Sequence, residues 1–234
     1  MNDPQAARPA WIAFAAFGLA LGVHFAAMLV AMALPEPVTT HYPWARQAVT
    51  QGLTAAFALL AMAVSRRPFA EFGFRRPAPA KGRFKLWGLL LGAVSTGVIL
   101  ALGLKGMRGH LAAYGLLGIV LWIWIISSIV EELFCRAWFQ TVVGERTRAA
   151  VLWSAALFGA MHLPLLLADV EIGAVVVILL SVTALGYVCA TARARTGSLR
   201  PAVAAHVMFN IGAFLAGVVY TIAYRVVTGR FPFQ

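Results

Sequence analysis

Seven long apolar stretches alternate with short polar or basic segments along the chain, at roughly residues 11–34, 48–64, 86–104, 111–135, 149–167, 173–192 and 202–226. Each is close to the length of about 20 residues that carries a helix across a hydrocarbon core of about 30 Å. The pattern predicts an all-α fold, a polytopic transmembrane helical bundle of about seven spans. The first stretch ends in Ala31, Met32 and Ala33, which resembles a signal-peptidase site. Its apolar run is far longer than the about 7–15 residues of a signal peptide's apolar region, so it is read as a retained helix. No internal repeat or low-complexity tract is visible.

Composition sharpens this picture. With 62% hydrophobic residues, 12% charged residues and a mean hydropathy of +0.84, an ordinary soluble fold is excluded. The 234 residues leave no room for a sizeable soluble domain beside the spans, so one membrane domain is expected. A net charge of +11 could suggest nucleic acid. The basic residues, however, sit in short loops rather than on one polar surface, so anionic membrane lipid is the expected partner and nucleic acid is not.

The loop after the second stretch holds Arg66, Arg67, Arg75, Arg76, Lys81, Arg83 and Lys85, whereas the loop after the fifth carries Asp169 and Glu171. Cytoplasmic loops are enriched in Lys and Arg, so the N-terminus is expected in the cytoplasm and the C-terminus outside. Pro77, Pro79, Gly82 and their basic neighbours read as a lipid-facing cytoplasmic linker. Trp11, Trp44 and Trp87 read as interfacial aromatics. Cys135 and Cys189 fall inside apolar segments, where neither a disulfide framework nor a zinc finger is expected.

Against this background the polar exceptions carry the candidate chemistry, because an ionisable side chain at bilayer depth costs about 2.5–3.5 kcal/mol on insertion scales. The fourth span ends in Ser127, Ser128, Ile129, Val130, Glu131, Glu132, Leu133, Phe134, Cys135 and Arg136. On a helix Glu132 and Arg136 share a face and can pair, while Glu131 points about 100° away. The two acids are therefore expected to have different tasks, with the unpaired Glu131 the candidate to activate water as a general base. In the fifth span His162 lies one turn after Phe158, which is expected to pack beside the same site and limit water access. In the seventh, His206 and Asn210 share a face, and together could donate two hydrogen bonds to one developing oxyanion. His24, Ser127, Ser128 and Thr183 are read as structural; His41 and His110 are read as solvated in outer loops.

Glu131, Glu132 and Arg136, then Phe158 and His162, then His206 and Asn210 reproduce in order the motifs Glu-Glu-x-x-x-Arg, Phe-x-x-x-His and His-x-x-x-Asn. In this the chain resembles the CPBP family, membrane proteases that include type II CAAX prenyl endopeptidases and bacteriocin-processing or immunity proteins. The stretch 195–199 also looks like the family's lead-in to the last motif. The resemblance covers about residues 111–214 and divides the membrane domain into N-terminal helices with a basic loop, 1–110, and a protease-like core of four spans, 111–226. One departure stands out: Cys135, Arg136 and Ala137 occupy the place of the family's common Phe-Arg-Gly.

The resemblance implies that Glu131 polarises the attacking water, that His162 helps orient it, that His206 and Asn210 stabilise the oxyanion, and that Glu132 and Arg136 support them. It also leaves open a metalloprotease, in which Glu131, His162 and His206 would hold Zn2+ with a fourth position for water. A single glutamate does not easily serve as both ligand and base, so the metal-free reading is favoured, with no cofactor. The expected activity is intramembrane endopeptidase cleavage of a membrane-associated peptide or protein, lipidated ones included, near the cytoplasmic side of a bacterial inner membrane. Two other classes remain: a non-catalytic immunity or adaptor protein on the same scaffold, and a small proton-coupled transporter. The transporter should show paired, interrupted helices in two halves, and none is visible.

Overall fold

A computed structural model describes residues 9–80, 82–104, 118–168 and 170–230; His110, Lys81 and Asp169 lie outside them. Every regular element among the described residues is helical. In chain order these are α1 (Ala10–Met32), α2 (Glu36–His41), α3 (Ala45–Val64), α4 (Phe84–Ala101), α5 (119–143), α6 (Arg148–Ala160), α7 (Ile172–Thr196) and α8 (Arg200–Thr228). Short 3-10 turns run through Phe69–Phe72 and Leu163–Leu167. Six of the helical segments are long and apolar enough to cross a membrane. α5 is not among these six, and the all-helical architecture agrees with an integral membrane protein of about seven spans.

α5 is not a uniform helix. π-helical stretches at Ile119–Ser127 and Leu133–Phe139 flank a single α-helical stretch, Ser128–Glu132. The backbone bonds of a π turn run from i to i+5, a strained form found mostly as isolated turns near functional sites. The helix also continues to Val143, eight residues past the expected end at Cys135. Arg136 is therefore wholly buried inside a helix, not a charge at its cytoplasmic mouth. The fifth span departs in the other direction: α6 stops at Ala160, and His162 occupies the turn that leads into the 3-10 segment. Pro164, with no N–H to give, is compatible with that start and with no continuation of the α-helix. Thr147 caps the other end of α6, its hydroxyl accepting from the Ala150 N–H at 3.1 Å.

α4 and α8 pack most extensively of all the pairs. A Cβ placed on Gly88 would lie 2.0 Å from the Ala205 carbonyl oxygen, one on Gly92 1.9 Å from that of Phe209, and one on Gly212 2.1 Å from that of Leu89. Membrane helices lack a hydrophobic drive to associate, and small residues let their backbones approach closely enough for dispersion to hold them. This seam fixes α8, and with it His206 and Asn210, against the third span. α1 packs on α3 and α6, burying Ala13, Ala16 and Ala20. Its Phe17 meets Trp153 of α6 edge-on, with ring centroids 5.4 Å apart.

The basic loop after α3 is docked, contrary to its reading as a lipid-facing linker. Arg75 donates to the Gly197 carbonyl at 2.7 Å, and Ser198 Oγ donates back to the Arg75 carbonyl at 2.7 Å. The fully buried Arg193 donates to the Glu71 carbonyl at 2.7 Å and to Glu145 at 2.6 Å. Glu145 sits in the left-handed region at φ +32°, a conformation costly for a residue with a Cβ. Its carbonyl accepts from Gln140, and its carboxylate from Arg193 and Arg75, so the turn between α5 and α6 is held from three directions. Of the aromatics, Trp11 and Trp87 remain exposed as expected, while Trp44 stacks on Trp122 at 5.0 Å. Both cysteines are buried and unbridged.

Candidate active site

The α-helical stretch Ser128–Glu132 of α5 aims its two carboxylates in different directions. Glu132 is fully buried and faces Arg136, with Oε2 3.1 Å from the guanidinium Nε. Arg136 also donates to the Gly186 carbonyl of α7 at 3.0 Å and lies over the Phe158 ring, 4.6 Å from its centroid. A buried ion pair persists only when further partners offset the lost hydration, and here a carbonyl and an aromatic face supply them.

Glu132 Oε1 in turn meets His206 Nδ1 at 3.0 Å. A carboxylate only accepts, so Nδ1 carries the hydrogen and Nε2 is turned to the other side of the ring. Nε2 stands 3.8 Å from Glu131 Oε2. That gap is too long for a hydrogen bond, but one water could touch both atoms. His206 thus lies between the two acids, oriented by one and facing the other.

Glu131 is not the unpaired carboxylate expected from the sequence. Its Oε1 accepts from Ser127 Oγ, one turn back on α5, and from Gln51 Nε2 of α3 at 3.1 Å. Gln51 also donates to Ser127 Oγ at 3.1 Å. One oxygen of Glu131 is anchored, and the other is left toward His206. Its side chain keeps 12% of its exposure, against none for Glu132.

His162 Nδ1 is 2.8 Å from the Phe158 carbonyl. The carbonyl can only accept, so this ring too presents an unprotonated Nε2 when neutral. Phe158 is fully buried and touches both imidazoles, with centroids 5.1 Å from His162 and 5.3 Å, edge-on, from His206. It packs beside the site as anticipated, and it also carries the Arg136 contact.

Asn210 differs from expectation. Its Nδ2 gives its two hydrogens to Ser128 Oγ at 3.1 Å and to the Ile123 carbonyl at 3.2 Å. His206 and Asn210 share a face of α8 but turn to different partners on α5. Only by releasing one of them could the amide reach an oxyanion beside His206.

The structure therefore brings Glu131, Glu132, Arg136, Phe158, His162 and His206 together, with Asn210 at the edge. Two residues read as structural join them. Ser127 bonds Glu131, and Ser128 bonds Asn210. Gln51 was missed altogether. Its one signal was an uncharged polar side chain within an apolar span, too common to single out. Thr183 keeps its structural role, donating to the Leu179 carbonyl at 2.7 Å, and His41 is exposed beside Tyr42.

Residues 112–212 match the family model of type II CAAX prenyl endopeptidase Rce1-like proteins. That segment is similar to the core of CAAX-type membrane endopeptidases. No curated protein and no solved structure matched it. The family segment takes in the site-bearing parts of α5, α6 and α8 but leaves out α1, α3 and α4. At the level of the family, the match supports a CAAX-protease-like membrane endopeptidase and suggests a membrane-associated substrate.

The zinc alternative can be set against the geometry. Among the described residues, no three His, Cys, Asp or Glu side chains converge as a metal-ligand set. His206 Nδ1 is committed to Glu132, and Glu131 Oε1 to Gln51 and Ser127. These bonds leave Oε2 of Glu131 and Nε2 of His206 facing one another across 3.8 Å.

Proposed function

We propose that the protein hydrolyses a peptide bond of a membrane-associated substrate using water activated by Glu131. The observation that carries this reading is the division of that carboxylate: Oε1 is held by two donors, while Oε2 faces His206 Nε2 across 3.8 Å. Oε2 takes a proton from water as the water oxygen bonds to the scissile carbonyl carbon. His162 Nε2 accepts the water's other hydrogen and so aims its lone pair. The carbonyl oxygen becomes an oxyanion beside His206, whose Nε2 donates to it as the imidazolium held by Glu132. Collapse of the intermediate breaks the C–N bond, and the proton on Glu131 passes to the departing amine.

Two carboxylates, one guanidinium and one imidazolium leave the buried group without net charge, which an apolar setting requires. Glu132 and Arg136 hold His206 and α7 in place, and Asn210 ties α8 to α5. The four core spans, 111–226, supply the reacting groups, and 1–110 the support around them. We assign the N-terminus to the cytoplasm of a bacterial inner membrane, with cleavage near that face, because the basic loop packs against that end of the core. An anchored substrate, lipidated or amphipathic, suits a site within the bilayer.

Replacing Glu131 with Gln keeps shape and removes the base. Glu131→Gln should still insert and fold yet lose cleavage of a membrane-tethered reporter. Comparative proteomics of membranes holding wild-type and Glu131→Gln protein should reveal fragments present only with the former. Full activity in Glu131→Gln would remove the general base, and the absence of any fragment dependent on Glu131 would favour a non-catalytic scaffold.

A further inference from the structure

Gln51 is 5% exposed, lies in an apolar span outside the matched family segment, and leaves its own Oε1 without a partner. Half-satisfied amides at such depth are costly. What offsets the cost is its Nε2, which donates to Glu131 Oε1 and to Ser127 Oγ, both at 3.1 Å. Ser127 passes its own hydrogen to the same Oε1, closing a three-membered ring of hydrogen bonds between α3 and α5. The amide orientation is dictated by chemistry, because a carboxylate can only accept.

We infer that Gln51 is a positioning residue for Glu131, clamping Oε1 so that Oε2 alone faces the water and His206. This rests on the reading of Glu131 as the base. Without the clamp the carboxylate can rotate about its χ3 torsion, which is broad and two-fold, and the lone pair no longer points at one place. α3 thereby becomes part of the active site rather than a neutral neighbour of the protease core.

The test compares Gln51→Met, which keeps length and volume but has no N–H, with Gln51→His, whose ring N–H has nearly the same reach. Both are assayed in vesicles of phosphatidylethanolamine and phosphatidylglycerol on a quenched-fluorescence peptide anchored by an S-prenyl cysteine. A lost hydrogen bond to a charged group predicts kcat lower by about 10- to 100-fold in Gln51→Met, with KM little changed and most of the rate regained in Gln51→His. A second readout needs no turnover. With 13C-carboxylate glutamate, the infrared difference between Gln51→Met and wild type should show a displaced carboxylate stretch that disappears when the comparison is repeated on the Glu131→Gln background.

Wild-type kcat in Gln51→Met while Glu131→Gln is inactive would overturn the clamp and leave the base in place. Equal losses in Gln51→Met and Gln51→His with a lowered melting temperature would mean packing alone, and overturn it too. An infrared difference that is absent, or that survives on the Glu131→Gln background, does the same. Full activity in Glu131→Gln would remove both readings together.

Discussion

Gly92→Ala is the sharpest probe of how the third span governs the chemistry on α8. The added Cβ would lie 1.9 Å from the Phe209 carbonyl oxygen, 2.8 Å from its carbon and 3.0 Å from the Ala213 nitrogen. All three are backbone atoms, so no side chain can swing away. Restoring the first contact to at least 3.0 Å requires α4 and α8 to part by about 1 Å. Phe209 precedes Asn210 and stands three residues after His206, so the displacement falls on the part of α8 that carries the site. The His206–Glu132 hydrogen bond of 3.0 Å would stretch beyond bonding distance. A misplacement of about 1 Å in a catalytic group costs on the order of 100-fold in rate, and overpacking costs about 1–3 kcal/mol in stability. The assay is initial cleavage rate on an anchored peptide in vesicles, beside thermal melting in detergent. Gly97→Ala on the same helix, where a Cβ meets nothing within 4 Å, is the matched control and should be silent. If Gly92→Ala and Gly97→Ala cleave and melt alike, the seam does not position the site, and the account of α4 fails.

Glu145→Ala leaves the buried Arg193 without its carboxylate; since Glu145 is partly exposed, the loss should sit near the low end for a broken buried pair, about 3 kcal/mol, read as a lower melting temperature, and an unchanged melt would mean that the docked loop contributes nothing. Phe158→Ala removes the ring under Arg136, His162 and His206, and should destabilise by about 3–5 kcal/mol as well as lowering kcat; Phe158→Leu should recover more of the stability than of the rate, and full recovery of both would reduce Phe158 to filler. Chelator treatment of protein assayed for zinc should leave cleavage unchanged; stoichiometric zinc lost together with activity would overturn the glutamate mechanism.

Much of this protein was written locally. Hydrophobic run length alone dictates membrane helices, because each span must satisfy its own backbone hydrogen bonds in lipid, and six segments emerged long and apolar enough to cross. The i,i+4 spacing of Glu132 and Arg136 dictated their pairing, and the contact of Phe158 with His162 follows from the same periodicity. Helix ends were less legible. The π-helical stretch Leu133–Phe139 and the α-helical turn Gln140–Val143 that carry α5 past Cys135 have no compositional signal.

What only the tertiary structure decided is which side chains meet across helices. Gln51 looks like an ordinary polar residue in an apolar span, and nothing in its local sequence says which neighbour it faces. Its partner Glu131 lies 80 positions away on another helix, and their meeting depends on how those two helices are rotated against one another. The same holds for Asn210, whose hydrogens go to Ser128 and Ile123 rather than to the space beside His206. Sequence period sets the face a residue occupies on its own helix; the packing of whole helices sets what that face touches.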